Sequence, residues 1–467
     1  MIYSVAIACT SAGWLLLLIL NPESLWAALT LSFAIQTAVF FQGRWMAKEL
    51  NDPKLAYAGC FALLKMPLCL LIILFGWMPD LHDTSTILGS DPQRFYHQSV
   101  EMAESSSPSN TVLPVNYVGI LYYYFFIIKL FGRHPVYPAL INGLISFQCM
   151  ILLTRWMYHL KPRRDKTDWT IGLFILIPEY MWFDSITSRE TIVAAICVFI
   201  LYVYFREQSS ATFDLVRYPI FSGLVIFLGI IRTSMLIPIM LIIIILSFLK
   251  LPSRRSTPAM VMTAIIFVAA GLLSPEISVQ LGSTDFAYVD LVEVAAYSDP
   301  EVISPEGWSE RSIGRMLVPK SLLEVFLFAL PRVLIYIVSP LPTHLYVPFN
   351  AIIAGSWDAW QSLVTILSSI LYVVLLPVGI AGVVSFYKDS TLHPKLIIYV
   401  PTLVLLVAIG VGVPIIHERY RVMAIPFLWT TMWLGRSASR NLLLKSYCWA
   451  AICCLALLMV YLCLKIL

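Results

Sequence analysis

Apolar windows of about 20 residues recur along this chain from Tyr3 to Ile466, and they limit its fold more than any other feature. Hydrocarbon offers no water to the backbone, so each window must close its hydrogen bonds within itself, as a helix. Of the 467 residues, 59% are hydrophobic and 12% charged, against roughly 25% charged in an average soluble protein. The expected class is an all-α polytopic membrane protein. The formal net charge is only +4, and the basic residues fall in short clusters between apolar runs. Such clusters orient a membrane protein, and nothing here suits nucleic acid as a partner. All nine cysteines lie in or beside apolar runs. They read as small buried hydrophobes rather than a disulfide framework or a zinc site. The first 20 residues lack a basic leader and a good cleavage site, so they read as a retained span.

Hydropathy predicts spans at 4–20, 24–41, 56–78, 136–156, 168–182, 190–205, 219–231, 233–249, 258–273, 361–386, 394–414, 420–435 and 446–465. Basic clusters at Lys161–Lys166, Lys250–Arg255 and Arg436–Lys445, and a weaker one at Arg44–Lys54, are expected on the cytoplasmic side. The acidic segments 79–115 and 274–320 then lie outside. That scheme holds only if the short runs 117–131 and 322–339 lie at the interface or re-enter instead of crossing. The expectation is about 13 spans in one integral domain, 1–467, with interfacial helices inside two larger outer regions, 79–135 and 274–360.

This orientation collects ionisable residues from distant parts of the chain at one membrane level. Charges at membrane depth are expensive and usually face a cavity. The first group is the acidic stretch containing Asp80, Asp83, Asp91, Glu101 and Glu104. Ser90-Asp91-Pro92 reads as a helix start, with Asp91 at the N-cap and Pro92 at the first helical position. Phe95, Tyr96, Ser99 and Met102 follow with helical spacing. Asp91 is therefore either a plain cap or a general base for an acceptor hydroxyl. Asp80 and Asp83 are rivals for that task, or for holding a divalent cation such as magnesium or manganese through oxygen. The second group is Thr187-Ser188-Arg189-Glu190. Thr187 and Glu190 match a capping box. Capping does not explain Arg189, which suits an anionic phosphate beside free N–H groups. The third group is His417-Glu418-Arg419-Tyr420-Arg421, joined by Arg232. Outer arginines run against the orientation rule. They either bind a lipid phosphate through their forked donors or snorkel to the head groups. His417 is ambiguous, since a lone interfacial histidine is more often structural.

With these residues in view, the chain resembles the C-type (GT-C) membrane glycosyltransferases. The stretch DPQRFYHQSVEMA, which begins at Asp91, is similar to that family's D-x-x-x-Y-x-x-x-A helix. LFGRHPVYPALINGLISFQCMILLTRW is similar to its juxtamembrane helix, turn and following span. PEYMWFDSITSRE (178–190), SPLPTHLYVPFNAIIAGSWDAW (339–360) and HERYRVMAIPFL (417–428) have the look of bacterial members. Two short spans precede the one before the acidic loop, where many members have a single span. The resemblance implies a bacterial cytoplasmic-membrane enzyme with its site on the extracytoplasmic side. It implies transfer of a sugar from a polyprenyl-phosphate carrier to a hydroxyl of a protein, lipid or glycan. Asp91 would be the catalytic base, and Arg189, Arg232, Arg419 and Arg421 would bind the donor phosphate. Asp80, Asp83, Tyr96, Glu190 and His417 would support them. Alternatives are a repeat-unit polymerase or O-antigen ligase, a transporter, to which Lys65 inside an apolar run would belong, and an assembly subunit. The orientation has a direct check. In a chain with its native cysteines replaced, Ser106→Cys is expected to react with an impermeant maleimide in intact cells. Arg164→Cys is expected to react only after permeabilisation.

Overall fold

The computed structural model describes residues 25–49, 91–104, 115–160, 169–205, 211–249, 357–387, 392–412, 418–436 and 438–466. It also describes residues 65, 68, 69, 72, 73, 261–263, 265, 331–335 and 337. The expected span at 4–20, the acidic loop at 274–320, and Asp80, Asp83 and His417 lie outside these residues. Every regular element described is helical: α1 (Leu25–Glu49), α2 (Asp91–Glu104), α3 (Val115–Phe131), α4 (Val136–Leu160), α5 (Pro178–Ser185), α6 (Glu190–Phe205), α7 (Ala211–Arg232), α8 (Leu236–Phe248), α9 (Trp357–Tyr387), α10 (Leu392–Gly412), α11 (Ile425–Gly435) and α12 (Arg440–Ile466). Tighter 3-10 turns at Trp169–Leu176, Thr233–Met235 and Glu418–Ala424 join some of them.

Among the described residues, two helices are long and apolar enough to cross a membrane, Val136–Met157 and Ala359–Ser385, both where spans are predicted. A third span is formed if α5 and α6 are taken together, although they bend by 106° across their break. Shorter apolar helices lie at Val118–Phe131, Leu236–Phe248 and Leu396–Gly410. The run read as one span at 168–182 is divided. A 3-10 segment ends at Leu176, and α5 begins at Pro178. The reason is local: proline has no N–H and its ring excludes the preceding turn of an α-helix, whereas it fits the first helical position.

The chain forms two compact units. The first holds residues 1–208, 220–232 and 342–368, and the second holds 209–219, 233–341 and 369–467. In the first unit α4 is the hub. It packs against α1, α3, α5 and α6, while α2 lies on α3. Phe147, Cys149, Met150 and Leu153 of α4 are buried, as is nearly the whole of α6. A helix that is apolar and enclosed on all sides belongs to the interior of a bundle. α3 ends at a left-handed Gly132 (φ 108°), whose N–H returns to the Ile128 carbonyl at 2.8 Å. That turn delivers the chain into α4.

In the second unit α10 packs on α8, α11 and the 418–424 turn. The backbones of α9 and α11 meet at glycine. A Cβ built on Gly435 would stand 1.8 Å from the Val378 carbonyl oxygen, and one on Gly382 would stand 2.5 Å from the Gly435 Cα. Close backbone approach through small residues is a usual way for apolar helices to associate where no hydrophobic effect drives them together. Gly143 on α4 is different, because nothing lies within 4 Å of its added Cβ. Gly435→Ala is therefore expected to destabilise the protein by about 1–3 kcal/mol in reversible unfolding from detergent micelles. Gly143→Ala should be neutral or stabilise by roughly 0.5–1 kcal/mol.

Candidate functional site

The site is organised by the break between α5 and α6. A bend of 106° strips carbonyls and N–H groups from the helical ladder. Irregular backbone at membrane depth is tolerated only where protein or a cavity satisfies it. Here side chains from neighbouring helices do so. Asn142 of α4 donates to the Ile186 carbonyl at 3.2 Å and to the Tyr124 hydroxyl at 3.2 Å. The Tyr124 hydroxyl in turn donates to the Ser188 carbonyl at 2.5 Å. The Asn142 oxygen accepts from Tyr123 at 3.0 Å, so every polar atom of that amide is used. Within the break, the Ser188 hydroxyl donates to the Phe183 carbonyl at 2.7 Å. At the entry, the Glu179 N–H donates to the Ser368 hydroxyl at 2.9 Å.

A buried ion pair stands one turn below. Lys65 bonds Asp184, with the two side chains 3% and 0% exposed. Ser146, one helical turn along α4 from Asn142, donates to the other Asp184 oxygen at 2.8 Å. The Lys65 ammonium also lies 5.1 Å from the Tyr180 ring centre, within cation–π range. Neither residue is among the sequence-predicted site residues. A signal was present in the sequence: Asn142 and Ser146 are a polar i, i+4 pair in an apolar run, and Lys65 is an isolated cation in another.

Arg189 and Glu190 lie on the far side of the break, both buried. The expected Thr187/Glu190 capping box does not form. α6 starts at Glu190, the Val193 N–H bonds the Arg189 carbonyl at 2.9 Å, and Arg189 is thus the cap residue. The Thr187 hydroxyl instead donates to the carbonyl of Pro92, at the start of α2. Glu190 accepts from the Arg189 N–H at 3.1 Å and faces Arg232 Nη1 at 3.5 Å. Arg232 is 2% exposed, so it does not snorkel. The structure therefore brings Arg189, Glu190 and Arg232 to one place, with the first turn of α2 tied to it. Asp91 is described as the first residue of α2, immediately before the bonded Pro92; the predicted cap position is one residue earlier in register.

The remaining expectations resolve differently. The Tyr96 hydroxyl bonds the Arg133 carbonyl in the turn before α4. Burial pushes its pKa up to about 12, against the lowering effect of Arg133. It fastens α2 to that turn and does not join the break. Arg421 belongs to the second unit. It donates to the Ile337 carbonyl at 3.3 Å and to the Ser369 hydroxyl at 3.1 Å, and lies 4.9 Å from the Tyr372 ring centre. At 1% exposure it too does not snorkel. Arg419 is described only as a residue of the Glu418–Ala424 turn. Among the described residues no group of three His, Cys, Asp or Glu side chains is arranged to hold a metal.

No family model, curated protein or solved structure matches this chain. The site is read from its own chemistry. Removing one partner of a buried ion pair leaves an uncompensated charge and costs about 3–5 kcal/mol, whereas removing both can be nearly neutral. Lys65→Met and Asp184→Asn are each expected to lower unfolding stability by that amount, and the double variant by clearly less than their sum. A double-mutant cycle in detergent measures the difference.

Proposed function

We propose that this protein is a membrane glycosyltransferase of the GT-C type, which moves a sugar from a polyprenyl-phosphate carrier to an acceptor hydroxyl at the outer face of a bacterial cytoplasmic membrane. The observation that carries the reading is the Thr187–Pro92 hydrogen bond. It ties the start of the helix that Asp91 opens to a break bearing two buried arginines. Transfer from a lipid phosphate needs that pairing: a carboxylate to take a proton, and cations to hold the leaving phosphate.

The reaction balances without a cofactor. The Asp91 carboxylate accepts the proton of the acceptor hydroxyl. The acceptor oxygen forms a bond to the anomeric carbon as the bond from that carbon to the carrier phosphate oxygen breaks. The bonding pair leaves with the phosphate, which gains one negative charge. Arg189, at the N-terminus of α6, and Arg232 would offset that charge, and donors arranged in advance stabilise a transition state more than a ground state. The helix terminus adds its own positive potential. A single displacement inverts the anomeric configuration.

The second reading is a transporter, favoured by the bent α5–α6 pair and the buried Lys65–Asp184 pair, since discontinuous helices and intramembrane charges also build transport sites. The two are separated by purified protein given a polyprenyl-phosphate-linked sugar. Asp91→Asn is expected to reduce transfer by about 100-fold or more with the fold intact. Arg189→Gln should lower the rate by a comparable factor. Full transfer by Asp91→Asn would falsify the base assignment, and uptake of a labelled solute into vesicles without any transfer would favour the transporter.

A further inference from the structure

Glu190 occupies the donors that a phosphate at this break would use. Its carboxylate takes the Arg189 N–H at 3.1 Å and faces Arg232 at 3.5 Å. It sits at the first position of the 16-residue helix α6, where the leading N–H groups have no acceptor inside the helix. The next residue supplies an independent observation. Thr191 is 1% exposed and its hydroxyl has no hydrogen-bond partner among the described residues. Side chains on a helix lean toward its N-terminus, so this hydroxyl leans toward the same end that holds Glu190 and Arg189. A buried hydroxyl left unsatisfied is costly and marks a place built for a further group.

We infer that Glu190 is an internal placeholder anion, and that a phosphate monoester binds by displacing its carboxylate from the Arg189 N–H and Arg232 and by accepting the Thr191 hydroxyl. The inference rests on the reading of this break as a phosphate site and adds how the site is held when empty. With no substrate present, the Arg232 guanidinium is a charge packed in a low-dielectric interior, where a charge needs compensation. Glu190 supplies part of that compensation. Its ion pair at 3.5 Å is longer than a well-formed charged hydrogen bond of about 2.8 Å. A phosphate, with more charge and three acceptor oxygens, competes well for the same donors. Once the phosphate leaves, the carboxylate returns, which assists product release.

The test is binding of dodecyl phosphate and of inorganic phosphate to the purified full chain in one detergent, by calorimetry. Glu190→Gln removes the competing charge and keeps the shape. It is expected to tighten phosphate binding by about tenfold or more, and Thr191→Val to weaken it. Tighter dodecyl phosphate than inorganic phosphate binding to the wild type identifies the lipid headgroup as the source, and the reverse order identifies a soluble anion. Where transfer is measured, Glu190→Gln should lower KM for the donor and lower kcat as product release slows, a split that a purely structural glutamate would not give. Unchanged or weaker phosphate binding by a folded Glu190→Gln overturns the inference. If that variant does not fold, full phosphate affinity in Thr191→Val overturns it. Placeholder behaviour in a protein that transfers no sugar would instead leave the inference standing and remove the glycosyltransferase reading.

Discussion

The side-chain capping of one helix break is the constraint on which the first unit depends. A chain that turns by 106° inside an apolar bundle leaves carbonyls that water cannot reach. Each such group left bare costs as much as several good contacts return. Asn142 and Tyr124 take the Ile186 and Ser188 carbonyls, and Ser188 takes that of Phe183. The first two of these bonds come from α4 and α3, so the packing of those helices holds the break in place.

Charge balance shows how the interior accepts so many ionised groups. The buried charges described in the first unit are Lys65, Arg189 and Arg232 against Glu179, Asp184 and Glu190, three of each sign. Neutrality within a short distance is what allows charges to remain in low dielectric. In the second unit the buried charges described are Arg217, Arg332 and Arg421, all positive. Arg332 and Arg421 are bonded to the carbonyls of Gly410 and Ile337. Carbonyl dipoles supply part of the compensation that carboxylates supply in the first unit.

The sequence made the helices of this fold legible where they depend on local composition. The long apolar runs at 136–156 and 361–386 became α4 and α9, because length and hydropathy alone decide whether a run can span. Hydropathy ran one span through 168–182 and passed over Pro178, where the helix in fact starts afresh. The break was not legible. It is held by side chains 44 and 64 residues away from the carbonyls they satisfy, and no spacing rule spans such a distance. The capping-box pattern at Thr187 and Glu190 misled because a local motif competes with tertiary bonds, and Pro92, 95 residues distant, won the hydroxyl. Arg189 stood out because nothing local explained a cation there. Lys65 stood out too, yet its partner Asp184 lies 119 residues away and could not be named.

The arrangement also explains why α2, a polar helix, sits on an apolar bundle. It buries Phe95 and Ser99, keeps Arg94, His97, Glu101 and Glu104 exposed, and bonds α3 through Ser99 to Leu121 at 3.2 Å and through Lys129 to Ala103 at 2.9 Å. Tyr96 and Pro92 add bonds to the Gly132 turn and to the break. Attachment at four points fixes both the tilt and the height of the helix. A helix held only at its middle could rock, and its first residue would move most. The bond to Pro92 removes that freedom at the end where Asp91 begins the helix.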